Sequence, residues 1–120
     1  MRRILIVEDD PGIRETVRLV LANGDVIVEE LQSGDKIFMH EFCVPDLFIL
    51  DRQLSGVDGL DVLQYLKKHP ATAHVPVLML SASPHILRLA QQLGGDGALE
   101  KPFHITELKA IVAKLISPGN

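Results

Sequence analysis

Three short apolar runs, Ile4-Leu5-Ile6-Val7, Leu47-Phe48-Ile49-Leu50 and Val75-Pro76-Val77-Leu78-Met79-Leu80, carry no polar residue at alternate positions. A strand with one face in water alternates apolar and polar side chains, so an unbroken apolar run of this length describes a strand covered on both faces. That situation belongs to parallel sheets, whose crossover connections lay helices over either side. A weaker run, Val26-Ile27-Val28-Glu29-Glu30-Leu31, and the short Ala98-Leu99-Glu100 bring the candidate strands to five.

The intervening segments have helical spacing. Ile13, Val17, Val20 and Leu21 share one face, Arg14, Glu15 and Arg18 take the other, and Asp10-Pro11 supplies an N-cap and a first-turn proline. Asp58 is expected to start a third helix, with Leu60, Leu63 and Leu66 inward and Lys67 and Lys68 solvated near its end. Ile86, Leu89, Ala90 and Leu93 repeat the spacing before Gly94-Gly95 ends it, and Leu108, Ile111, Val112, Leu115 and Ile116 form a final helix. A second helix, over Asp35 to Phe42, has the weakest pattern. Strand and helix alternating five times predict an α/β domain, a parallel sheet between two layers of helices.

At 120 residues and 47% hydrophobic content the chain fits one such domain and not two. Its formal charge of −4, with Lys and Arg scattered, argues against direct nucleic-acid binding and against an anionic membrane surface. The apolar run after Met1-Arg2-Arg3 ends at three acids, and no segment is long enough to span a bilayer, so a cytoplasmic location is expected. The lone Cys43 is expected to be a reduced, half-buried thiol. His40, His69, His74, His85 and His104 lack ligand spacing and are expected at the surface or at helix ends.

In open α/β sheets the functional crevice lies beyond the carboxyl ends of the strands, where strand order reverses. The first run leads into Glu8-Asp9-Asp10, the third strand into Asp51, the fourth into Ser81-Ala82 and the fifth into Lys101-Pro102. If the first and third strands are neighbours, Glu8, Asp9 and Asp51 converge, and three carboxylates so close repel unless a cation sits among them. Oxygen ligands without His or Cys suit a hard ion that keeps several waters, which describes Mg²⁺. A lysine and a hydroxyl from adjacent strand ends complete a site with a nucleophile, a metal and charge neutralisation for a phosphoryl group. Asp10 and Asp58 are expected to be helix caps rather than ligands.

Leu5-Ile6-Val7-Glu8-Asp9-Asp10-Pro11, Asp46-Leu47-Phe48-Ile49-Leu50-Asp51, Gly56-Val57-Asp58-Gly59-Leu60, Ser81-Ala82 and Glu100-Lys101-Pro102-Phe103, in this order, resemble the receiver domain of two-component response regulators. The resemblance covers nearly the whole chain. It implies a flavodoxin-like, doubly wound fold, a five-stranded parallel sheet in the order 2-1-3-4-5 with five helices, similar to the chemotaxis regulators. It implies Asp51 as phosphoacceptor, Asp9 as direct Mg²⁺ ligand, Glu8 as the acid that holds the metal through water, and Gln53 as the residue whose backbone carbonyl binds it. Ser81 matches the switch hydroxyl and Lys101 the lysine that pairs with the phosphoryl group, while Pro102 implies a cis peptide at 101–102. The partners so implied are a sensor histidine kinase or histidine phosphotransfer protein as donor and a downstream protein effector. A homodimer through the fourth and fifth helices is left open. Residues 117–120 follow the final helix, so a single receiver domain over 1–120 without an output domain is expected, acting as a switch more than an enzyme.

Three departures stand out. Family members commonly carry Tyr or Phe three residues before the lysine, where this chain has Ala98, which puts the relay to the surface in question. The stretch from Ser81 to Lys101 is a residue or two shorter than common. Ser55 stands where proline is frequent and is expected to loosen its loop, and Arg52 is expected to point to solvent at the rim. The alternative reading from Ala98 is an interaction module indifferent to phosphorylation. An aspartate-nucleophile phosphohydrolase of the haloacid dehalogenase type is disfavoured because Gln53 replaces its second acid, and a flavodoxin-like cofactor binder because carboxylates at the first strand end repel a flavin phosphate.

Overall fold

The computed structural model describes residues 1–116; the tail expected over 117–120 lies outside the described residues. Elements follow in the order β1 (Arg2–Val7), α1 (Pro11–Leu21), β2 (Val26–Leu31), α2 (Asp35–Phe38), β3 (Leu47–Asp51), β4 (Gln53–Leu54), β5 (Val57–Asp58), α3 (Gly59–Lys68), β6 (Val77–Ser81), α4 (Ile86–Gln92), β7 (Gly97–Glu100) and α5 (Ile105–Ile116). Five strands form one parallel sheet in the order β2-β1-β3-β6-β7, and the two-residue strands β4 and β5 pair as a small antiparallel hairpin. Counting the main sheet alone, the order is the expected 2-1-3-4-5. The chain leaves β1 toward β2 and returns across it to β3, so strand order reverses between β1 and β3.

The apolar runs resolve into two cores with the period of two that a pleated strand imposes. Leu5 and Val7 of β1, Phe48 and Leu50 of β3, and Val77 and Met79 of β6 pack with Ile37, Val62, Leu63, Leu66, Ile86 and Ala90 from α2, α3 and α4. Their neighbours Ile4, Ile6, Leu47, Ile49, Leu78 and Leu80 face the other way, onto Val17 and Leu21 of α1 and Leu108 and Val112 of α5. Each such side chain removed from water contributes about 1.5–3 kcal/mol before the entropic cost.

Helix starts follow local chemistry. Asp10 caps α1 by accepting from the amides of Gly12 at 2.8 Å and Ile13 at 3.3 Å, with Pro11 opening the helix. Asp58 caps α3 through the amide of Leu60 at 2.9 Å. The second helix is a single turn, shorter than the expected span to Phe42, because His40 adopts φ +56°, a left-handed conformation that stops it. The fourth strand starts at Val77 rather than Val75; Pro76 has no amide to give the ladder, though its carbonyl accepts from Phe48.

Three side chains depart from their expected solvation. Lys67 is drawn in, its ammonium bonding the carbonyl of Val75 and the carboxylate of Asp96, both at 2.8 Å. Arg14 is likewise held, paired with Glu30 of β2 at 3.3 Å. Cys43, expected half-buried, is exposed, because the link between α2 and β3 turns Phe42 inward in its place. Among the described residues, no helix is long and apolar enough to cross a membrane.

Candidate functional site

Register places the site. Val7 pairs with Leu50 and Asp51 with Leu80, so Glu8, Asp51 and Ser81 leave the sheet at nearly one level. Strand β7 pairs Glu100 with Ser81, and the next amide, of Lys101, donates to the Ser81 carbonyl at 2.7 Å. The peptide between Lys101 and Pro102 is cis, as the family resemblance implied.

Glu8, Asp9 and Asp51 each bring a carboxylate oxygen within 4.8 Å of the others. Glu8 and Asp51 are buried and Asp9 is exposed, so the trio opens to solvent on one side. Lys101 Nζ lies between the buried pair, donating to Glu8 Oε1 at 2.9 Å and to Asp51 Oδ1 at 3.0 Å. One ammonium therefore serves two carboxylates. Burial, then its hydrogen bond with Asp51, pushes Glu8 from an ordinary 4.5 up to about 7, against the pull of Lys101. Burial alone lowers the affinity of Lys101 for its proton, but its bonds to Glu8 and Asp51 together outweigh that and hold it above the ordinary lysine value. An all-oxygen donor set with surplus negative charge fits a hard divalent cation such as Mg²⁺.

The surrounding scaffold holds these groups from several elements. Arg14 donates to the Glu8 carbonyl at 2.7 Å, fixing the backbone where β1 ends. Gly59 begins α3 directly against β3: a Cβ there would lie 2.1 Å from the Asp51 carbonyl oxygen, so only glycine lets the helix start so close to Asp51. Between them, β4 and β5 enclose a two-residue turn, Ser55-Gly56, with Gly56 at φ +75°. The hydroxyl of Ser55 donates to Asp9 Oδ2 at 2.9 Å. Ser55 was expected to loosen this loop; it instead ties the loop across to the end of β1. Arg52, expected to point to solvent, turns toward Asp58 at 3.9 Å and is only 29% exposed.

Of the residues singled out in the sequence, Glu8, Asp9, Asp51, Gln53 and Lys101 line one cleft of about 460 Å³. Ser81 lies in the adjoining depression with Arg52, Gln53 and Ser83, its hydroxyl accepting from the Ser83 amide at 3.0 Å. Gln53 lines both. The histidines stay apart from this centre: His40 is exposed, hydrogen-bonded to the Tyr65 hydroxyl, and His69 ends α3. Arg14 and Ser55 were missed as contributors. No spacing rule joins Ser55 to Asp9, whereas Arg14 stands one helical turn past the Asp10 cap, the one local hint that it reaches back to the strand end.

Comparison with known proteins bears on this geometry. Residues 4–113 match the family described as the response regulator receiver domain. The chain is 39% identical over 119 residues to the DNA-binding dual master transcriptional regulator RpaA of Synechocystis, covering 97% of this chain and 49% of that protein. It is 37% identical over 123 residues to the phosphate regulon transcriptional regulatory protein PhoB of Escherichia coli, covering 98% and 54%. The chain thus spans about half the length of these relatives. Among solved structures, a response regulator from Chloroflexus aurantiacus superposes with a TM-score of 0.88 at 29% identity, covering 97% of this chain and 98% of that one. The receiver domain of a Pseudomonas aeruginosa sensor histidine kinase, with a magnesium ion in its active-site cleft, shares the fold at a TM-score of 0.81 and 24% identity, covering 96% and 97%.

Proposed function

The chain belongs to the receiver-domain family of response regulators, and from that membership we propose that Asp51 accepts a phosphoryl group from the phosphohistidine of a sensor histidine kinase or a histidine phosphotransfer protein. The observation that carries this reading is the convergence at the switch point of Asp51 with Glu8, Asp9 and Lys101, the lysine 3.0 Å from the Asp51 carboxylate. A carboxylate oxygen of Asp51 bonds to phosphorus as the P–N bond to the donor imidazole breaks and the nitrogen keeps the electron pair. Glu8, Asp9, Asp51 and the backbone carbonyl of Gln53 would hold Mg²⁺, which would supply neutralising charge for the phosphoryl oxygens. The magnesium in the cleft of the P. aeruginosa receiver is in keeping with this choice of ion.

Lys101 pairs with one phosphoryl oxygen. Ser81 donates to another; its oxygen accepts from Ser83, which leaves the hydroxyl proton available. The phosphorylated and free states then differ in partner affinity, and a ligand group that favours one state by a few kcal/mol makes it dominant. Receiver domains are regulatory, and the chemistry of this one is limited to its own phosphorylation and slow hydrolysis. The output proposed for this chain is a change in binding to a protein effector; direct contact with DNA is no part of the proposal.

Intact mass after incubation with acetyl phosphate and Mg²⁺ tests the reading. One added phosphoryl group is expected for the wild-type chain and none for Asp51→Asn or for a chelated sample. A wild-type chain that gains no mass from acetyl phosphate or from any histidine kinase would overturn it.

A further inference from the structure

Asp9 differs from its two acidic neighbours in how it is held. Glu8 and Asp51 are buried and bonded to Lys101 at 2.9 and 3.0 Å. Asp9 is exposed, and among the described residues its side chain has one hydrogen-bond partner, the Ser55 hydroxyl at 2.9 Å. A carboxylate in water rotates through several rotamers of similar energy, and a metal that needs one of them loses affinity in proportion. Ser55 also lines the same cleft as Asp9, on the turn between β4 and β5, so the bond spans the two loops between which an ion would be held. It engages Oδ2 and leaves the other oxygen of Asp9 free.

We infer that Ser55 is a positioning residue for the metal: its hydroxyl fixes the Asp9 carboxylate and ties the loop after β3 to the loop after β1. The inference rests on the receiver reading of the site. Outer-shell groups that orient a metal ligand act in this way, by reducing the ordering that binding must otherwise impose. The role belongs to the hydroxyl and not to the turn. Ser55 has a negative φ and Gly56 a φ of +75°, the sign pattern of a type II turn, which accepts proline at its first central position. Ser55→Pro therefore removes the hydroxyl while keeping the turn.

The test is a Mg²⁺ titration of the full chain followed by NMR amide shifts around residues 8–10 and 51–55, on wild type, Ser55→Ala, Ser55→Pro and Ser55→Thr. Loss of the hydroxyl is expected to weaken Mg²⁺ binding about threefold to tenfold, at or below the lower end of what outer-shell partners contribute, because both groups are exposed. Ser55→Ala and Ser55→Pro should show this loss alike, and Ser55→Thr should retain wild-type affinity. In phosphorylation by acetyl phosphate, the Ala and Pro variants should need correspondingly more Mg²⁺ for half-maximal rate, with a deficit that shrinks as metal is added. Wild-type affinity in both Ala and Pro variants, with Asp51 of the wild type still phosphorylated, overturns the role of Ser55 and leaves the receiver reading standing. A wild-type chain that binds no Mg²⁺ overturns both.

Discussion

Burial of Glu8 beside Asp51, with a single ammonium group, Lys101 Nζ, bonded to both carboxylates, sets the acid–base behaviour of the site. Glu8, raised to about 7, keeps its proton in the folded, metal-free chain at pH values where the unfolded chain has released it. Between about 4.5 and about 7 the folded state therefore binds more protons than the unfolded state, and stability falls as pH rises through that window. Glu8→Gln has no proton to lose. Measured as Tm without metal, the variant should gain on wild type from pH 5 to pH 8, and a constant difference would show that Glu8 ionises there without cost. Glu8, Asp9, Asp51, Ser81 and Lys101 were legible in the sequence because each follows an apolar run, which marks a strand end. Arg14, Lys67 and Ser55 were read as solvated or incidental. Their partners Glu30, Asp96 and Asp9 lie far along the chain, and only the sheet order brings them together.

At the scale of elements, the strands and the long helices were readable because burial on both faces or on one stripe leaves a period in the sequence, and α2 was not, since one turn has no period to show. The hairpin of β4 and β5 escaped notice for the same reason. Helices α3 and α4 differ in how their ends are held. Helix α4 has seven residues, no side-chain cap at His85 and no acid in its first turn, whereas α3 has the Asp58 cap and Lys67 and Lys68 in its last turn. Beside α4, Ala98 of β7 packs against the core that includes Ile86 and Ala90 of that helix and offers it only a methyl group. A short helix without a side-chain cap or charges that complement its dipole frays from its ends at a low local opening free energy. In hydrogen exchange, α4 amides are expected to exchange faster than those of α3 and α5. Phosphorylation should leave that exchange unchanged, since there is no aromatic at position 98 to rotate behind Ser81. Strong protection of α4 in the phosphorylated chain would instead mean that backbone movement at Ser81 suffices for the relay.

At the scale of the whole molecule, the doubly wound order was legible from strand–helix alternation together with the family resemblance, and it is this order that sets β1 beside β3. The acidic trio therefore exists only in the folded chain; unfolding parts Asp51 from Glu8 and Asp9, which remain neighbours in sequence. A cation that binds the folded state alone stabilises it by RT ln(1 + [Mg²⁺]/Kd), about 2.7 kcal/mol at one hundred times Kd. For a domain of this size such a gain amounts to a rise in Tm of about ten degrees. Screening of general negative charge by any salt also raises Tm, so the comparison is made against NaCl at matched ionic strength. Wild type should gain Tm with Mg²⁺ beyond the NaCl control, and Asp9→Asn should not. If both chains rise equally, the stabilisation comes from screening over the whole surface, and the three carboxylates do not act as one ion-binding centre.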